Sequence, residues 1–325
     1  MTITRRGALM GSGALVAGFS ASASLALAQE AAKPAAAAAP AQAPGFYRYK
    51  VGDIEVIAVN DGYIERPVEG YVKNAPLAEV QQFIQSLNQP AGKVRVPYTA
   101  MVLRTGGKTV LIDTGMADMG APTQGRLAAN LKAAGIEPAQ IDVVVISHFH
   151  GDHINGLRTK AGELVYPKAE VMVPEAEYAF WMDDARMAAA ADAQKGLFAI
   201  PRRALGNLAS KVTRFAADKE ILPGITALPA YGHTPGHTTF AIHSGNQRMM
   251  MMVDVTNHTG VFLRNPDWHV LFDMEPDAAA KSRRRMAELA VSEKMQVAFY
   301  HAPFPATGFI EKAGNGFRLE PVQWT

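Results

Sequence analysis

The sequence predicts an α/β layered fold, and three observations carry that expectation. Short apolar runs rich in β-branched residues recur along the chain. Segments of helix-forming composition separate and follow them. Four of the apolar runs end in a side chain that can bind a metal, so they read as strands converging on one sheet edge.

Taken in order, the N-terminus stands outside this pattern. Arg5 and Arg6 precede an apolar stretch running to Ala28, and Ala26-Leu27-Ala28 offers a small-residue cleavage site. Residues 1–28 therefore read as a signal peptide of the twin-arginine type, implying a periplasmic protein without a permanent membrane anchor. Residues 29–43, almost all Ala, Pro and Gln, read as a flexible spacer. Residues 44–325 read as a single domain, with nothing inside them resembling a linker.

Strands are expected over Ile54–Asn60, Ala100–Arg104, Thr109–Asp113, Asp142–Ser147, Glu170–Val173, Ile225–Ala230, Thr239–His243, Met249–Val253 and Val297–Tyr300. Helices are expected over Pro122–Ala134, Pro174–Asp184, loosely Asp192–Ser210, and Asp277–Lys294. In the first helix Leu127 and Leu131 share a face, and Gly135 ends it. No internal repeat is visible.

Composition excludes several classes. The formal charge is +2, and removal of Arg5 and Arg6 with the signal peptide brings it to zero. The basic balance is therefore no sign of nucleic-acid binding. The one basic cluster, Arg283-Arg284-Arg285, reads as a solvated helical face. No cysteine is present, which removes disulfides and thiolate ligands together.

Only nine histidines occur in 325 residues, yet three fall in the run His148-Phe149-His150-Gly151-Asp152-His153. Imidazole nitrogens with a carboxylate are the ligands zinc and similar divalent ions accept. His148 follows the buried run Ile141–Ile146. His233 follows Ile225–Ala230, Asp254 closes Met249–Val253, and His301 closes Val297–Tyr300. Ligands so far apart in sequence point to one site assembled at strand ends.

These motifs resemble the metallo-β-lactamase superfamily: HFHGDH, the segment Tyr231 to Thr238, Asp254, His301, and Leu111-Ile112-Asp113-Thr114-Gly115 upstream. Within it the chain is similar to methyl parathion hydrolase and its lactonase relatives, through PGFYR near Pro44, GRLAANLKAAG near Gly125, PGITAL near Pro223 and GHTPGHTT. The resemblance implies an αββα four-layer sandwich. It also implies two divalent metals, zinc first: His148, His150 and His233 on one, Asp152, His153 and His301 on the other, Asp254 bridging. Two metals about 3.5–4 Å apart share a hydroxide, the nucleophile, which Asp254 helps to hold.

Asp113 and His237 are expected to support the ligands from behind, and Trp181 and Phe198 to form an apolar substrate wall. His243, His258 and His269 are expected to be structural or exposed. Related lactonases carry a tyrosine three residues past the bridging Asp; this chain has Asn257 there. The expected function is hydrolysis of a small molecule (lactone, aryl ester or organophosphate triester). Zinc β-lactamase activity and a non-catalytic binding protein on the same fold are the alternatives, and both monomer and homodimer stay open.

Overall fold

The structure, a computed structural model, describes Ala43 and residues 45–323. The expected signal peptide, and the spacer apart from Ala43, lie outside the described residues. Two seven-stranded sheets organise the rest. The first runs β1 (Phe46–Val51), β2 (Ile54–Pro67), β3 (Lys93–Thr105), β4 (Lys108–Ile112), β5 (Val143–Val145), β6 (Glu170–Pro174) and β7 (Thr213–Phe215). Its early strands pair antiparallel, and β4 to β7 pair parallel. The second runs from β14 (Gly316–Pro321) through β13 (Thr307–Ala313), β12 (Gln296–Phe299), β11 (Gln247–Val253), β10 (Thr238–Ser244) and β9 (Ile225–Pro229) to β8 (Lys219–Leu222). Only β11 and β12 are parallel in it.

Alternation along β11 shows how the layers meet. Met249, Met251 and Val253 pack into the larger core, which takes residues from both sheets. Met250 and Met252 face the other way, onto Met286, Ala287 and Ala290 of α7 (Pro276–Ser292). These five side chains are fully buried, as expected for a strand covered on both faces. Val143, Val144 and Val145 of β5 are buried for the same reason. The fold is the expected sandwich of two sheets with helices outside.

The remaining helices are α1 (Leu77–Ser86), α2 (Leu127–Ala133), the single turn α3 (Gly151–Ile154), α4 (Glu175–Trp181), α5 (Asp184–Ala189) and α6 (Asp192–Leu205). The helix expected from Pro122 starts only at Leu127. Asp61, fully buried, accepts the backbone N–H groups of Met116 and Leu127 and fixes the preceding loop in a non-helical path. The helix expected over Pro174–Asp184 breaks in two, because Asp183 caps a new start by accepting from Ala185 and Arg186 N–H.

Candidate metal centre

The seven expected ligands come together at the strand ends of both sheets. His148 and His150 follow β5, and Asp152 and His153 sit on the turn of α3. His233, Asp254 and His301 follow β9, β11 and β12. Two backbone features aim them. Gly232, at φ +120°, lies so close to α7 that a Cβ would stand 2.1 Å from the Ala279 nitrogen. Val253 adopts φ 48°, a left-handed conformation that a β-branched residue resists. Such strain costs on the order of 1–3 kcal/mol; here it turns Asp254 away from the strand's path at a register shift between β11 and β12.

Three groups of ligand atoms form, each with all atoms within 4.8 Å of one another: His148, His150 and His233; Asp152, His153 and His301; and His148, His153 and Asp254. His150 Nδ1 stands 3.2 Å from His148 Nε2 and 2.9 Å from His233 Nε2. Tetrahedral zinc with bonds of about 2.0–2.1 Å would separate its ligand nitrogens by roughly 3.3 Å. Asp254 stands between the groups: Oδ1 is 3.3 Å from His153 Nε2, while Oδ2 is 3.0 Å from His301 Nε2 and 3.3 Å from His233 Nε2. Asp152 Oδ2 lies 3.4 Å from His301 Nε2 and 3.6 Å from His153 Nε2.

The far nitrogen of most of these rings is occupied. His153 Nδ1 meets Asp113 Oδ2 at 2.8 Å, His233 Nδ1 meets Asp273 Oδ1 at 2.9 Å, and His301 Nδ1 meets the Pro97 carbonyl at 2.8 Å. His148 Nδ1 lies 3.0 Å from the Ser147 hydroxyl. A carbonyl can only accept, so His301 donates from Nδ1, and its Nε2 faces a carboxylate oxygen at 3.0 Å. His153 Nε2 and Asp254 Oδ1 are buried without hydrogen-bond partners. Acceptors facing acceptors in the interior require a proton or a cation between them. The donor set thus fits divalent metal, and the supports behind it are those that orient ligating imidazoles.

The electrostatics divide the site. Burial, reinforced by the neighbouring imidazoles, holds His148 and His150 well below the usual histidine range, so both are neutral and free to ligate. Burial also lowers His233, but Asp254 and Asp273 outweigh it and push the group up to about 9. His153 is likewise pushed up by Asp254, Asp152 and Asp113 against burial. Asp254 is held well below the carboxylate range by His301 and His153, again against burial.

Beside the cluster opens a cavity of about 560 Å³, to which His150 and Asp152 are partly exposed. Its apolar wall includes Ile64, Val96, Leu197, Ile200, Leu271 and Phe272; Arg66, Gln124, Gln194 and Asn257 supply polar groups. Trp181 and Phe198 do not line it, which corrects the expectation. Both are buried, with Phe198 stacked on Phe180 and set edge-on to Trp181. Gln194, Leu197 and Ile200 form the α6 face that reaches the cavity instead.

Asp113 contacts His153 as described. His237 stands beside the cluster without joining it: Nδ1 is 2.9 Å from the Ala230 carbonyl, and Nε2 accepts from Asp254 N–H at 3.1 Å. Burial lowers His237 to about 3, consistent with that accepting nitrogen. His243 is exposed, and His269 lies 3.2 Å from Asp277. His258 is buried and faces Gln89 outside the cluster. Asn257 accepts from the Tyr71 hydroxyl at 2.8 Å.

Sequence reasoning missed Asp273, Tyr71, Arg66 and Glu177. Glu177, fully buried at the start of α4, accepts from Thr234 next to His233, and burial pushes its carboxyl up to about 8. Gly236 packs against its backbone, where a Cβ would come within 2.3 Å of the Glu177 nitrogen. The loop that carries His233 is therefore braced from below.

A family model described as the metallo-beta-lactamase superfamily matches residues 94–293. An N-acyl homoserine lactonase of a Bacillus species is 25% identical over 237 residues, covering 67% of this chain and 86% of the relative. The N-acyl homoserine lactonase of Bacillus cereus is 23% identical over the same shares. Among solved structures, AidC, a dizinc quorum-quenching lactonase in complex with a product, superposes with TM-score 0.81 at 26% identity, over 86% of this chain and 98% of that one. The hydrolase AbOPH gives TM-score 0.82 at 24% identity, over 88% and 100%.

Proposed function

The chain belongs to the metallo-beta-lactamase superfamily, and from that premise we propose that it is a dinuclear hydrolase of lactones and activated esters. One observation carries the reading: the buried Asp254 carboxylate stands between two three-ligand groups, with the cavity opening beside them. In this reading His148, His150 and His233 would hold one divalent ion, Asp152, His153 and His301 would hold a second, and Asp254 would contribute its carboxylate between the two groups. Ions held there would supply a water deprotonated at neutral pH and polarisation of an ester or lactone carbonyl.

The chain's own residues orient and exclude. Asp113, Asp273 and the Pro97 carbonyl fix three ligand rings through their far nitrogens. Tyr71 holds Asn257 by its amide oxygen, which leaves the Asn257 Nδ2 group as a donor for a substrate or leaving-group oxygen. That donor stands where related lactonases carry a tyrosine. An amide does not release a proton, so the reading favours a strained lactone or a phenolate leaving group.

The lactonase relatives and the dizinc AidC support the lactone preference. The resemblance of PGFYR, GRLAANLKAAG and PGITAL to stretches of methyl parathion hydrolase supports triester hydrolysis as a second, slower activity. The test is kcat/KM of zinc-loaded and chelated protein for dihydrocoumarin, an N-acyl homoserine lactone, phenyl acetate and methyl paraoxon. Lactone or aryl-ester turnover that disappears with the metal is expected. Triester hydrolysis faster than both, or activity indifferent to chelation, would overturn the assignment.

We further propose that residues 1–28 direct twin-arginine export of the domain that follows the spacer. Arg5→Lys combined with Arg6→Lys should then retain the protein in the cytoplasm on fractionation. Undiminished periplasmic protein would point to another route.

A further inference from the structure

Arg66 lines the same cavity as the ligand cluster and has no counterion among the described residues. Strand alternation puts it there: Glu65 turns away to Lys93 and Arg95, while Ile64 and Arg66 line the cavity. The guanidinium carbon lies 5.4 Å from the centroid of the Phe272 ring. Arg66 Nε is buried without a hydrogen-bond partner, and its side chain forms no hydrogen bond or ion pair among the described residues. Arg126 and Arg264 also lack such partners, but both are exposed, where water solvates them.

The carboxylates nearby are committed elsewhere. Asp152 and Asp254 face the ligand imidazoles, and Asp273 is shared by Arg283 at 3.1 Å and His233 at 2.9 Å. Phe272 directly precedes Asp273, so the ring under Arg66 rides on a segment anchored by that buried pair. A guanidinium taken partly out of water and left unpaired is unfavourable until an anion completes it.

We infer that this site selects substrates bearing a carboxylate at the end remote from the scissile ester or lactone carbonyl, with Arg66 and Phe272 as the recognising pair. The inference rests on the hydrolase reading above. Arg66 takes the carboxylate through parallel N–H bonds, and the apolar Ile64, Leu197 and Ile200 accommodate the body between the two groups. A cavity of 560 Å³ has room for an aromatic or short acyl body of that kind.

The test compares 4-acetoxybenzoate with phenyl acetate in wild type, Arg66→Met and Arg66→Lys. In Arg66→Met the kcat/KM ratio of carboxylated to neutral ester should fall ~10- to 100-fold, the worth of a charge-assisted bond. The loss should sit in KM, and Arg66→Lys should recover part of it. Arg66→Gln replaces Arg66→Met if the latter does not fold.

A second arm needs no turnover: calorimetric affinities of terephthalate and benzoate for the zinc-loaded protein, where the second carboxylate reports on Arg66. Arg66→Met should erase the terephthalate advantage. An equal loss on both esters, or an affinity ratio unmoved by the substitution, overturns the inference. If neither ester is hydrolysed, the hydrolase reading fails, and the calorimetric ratio still decides the role of Arg66.

Discussion

The floor of the cavity and its wall are built on different principles. On the floor the far side of His153, His233 and His301 is fixed by a carboxylate or carbonyl, and the loop under His233 is braced by Glu177. On the wall, Leu197 and Ile200 come from α6, Arg66 from β2 and Phe272 from an irregular segment, and Arg66 has no polar partner among the described residues. The floor is over-determined and the wall is not. Chemistry is thus fixed by the first and substrate range by the second, and substitutions on the wall should change selectivity without disturbing the ligands.

The largest effect should come from breaking the floor at its centre. Asp254→Asn removes the charge shared by both ligand groups; zinc content should drop below two per chain, and kcat/KM should fall by about three orders of magnitude or more. Elemental analysis alongside kinetics checks both. Retained stoichiometry with full turnover would erase the distinction between floor and wall.

Trp181→Ala tests where the wall ends. Trp181 is 1% exposed and lies behind the cavity, so its truncation should cost about 3–5 kcal/mol of unfolding free energy. Selectivity between aromatic and aliphatic esters should stay nearly constant. A selective rise in KM for aromatic substrates would return Trp181 to the wall.

Smaller effects should come from the supports. Asp273→Asn and Asp113→Asn each leave a ligand ring in place but weaken its orientation, for a loss of about 10- to 100-fold in metal affinity or activity. Competition with a zinc chelator would measure it.

The smallest concerns the brace. Glu177 is raised from 4.5 to about 8 in the folded protein. A raised carboxyl stabilises the fold fully below its unfolded pKa, and that contribution is lost as pH climbs through the folded value. Glu177→Gln lacks this titration, so its Tm relative to wild type should rise by a few degrees, on the order of 5 °C, between pH 5 and pH 8.5. A constant difference across that window would show that Glu177 is ionised in place.

The same division governs what can be read from the sequence. The floor is legible because β-branched and methionine runs mark buried strands, and each hands a histidine or aspartate to the segment that follows it. Asp273 has no such signature: it sits in an irregular segment and reaches His233 across 40 residues. Arg66 looks like one more charge in the series Glu65-Arg66-Pro67 until strand pairing fixes which side it faces. Aromatic composition drew attention to Trp181 and Phe198, but composition does not say which helix face meets the cavity. Helix α1 buries only Val80 and Ile84, and the β13–β14 hairpin leaves Phe309 exposed.

The ligands straddle the two sheets, His148 to His153 following β5 of the first and His233, Asp254 and His301 following strands of the second. A cation held there is a clasp between halves of the molecule, one that the unfolded chain cannot reproduce. Free metal concentration then becomes a thermodynamic variable of the fold itself. Above saturation, each tenfold increase should add about 1.4 kcal/mol per bound ion to the free energy of unfolding, so scarcity of metal would loosen the architecture as well as silence it.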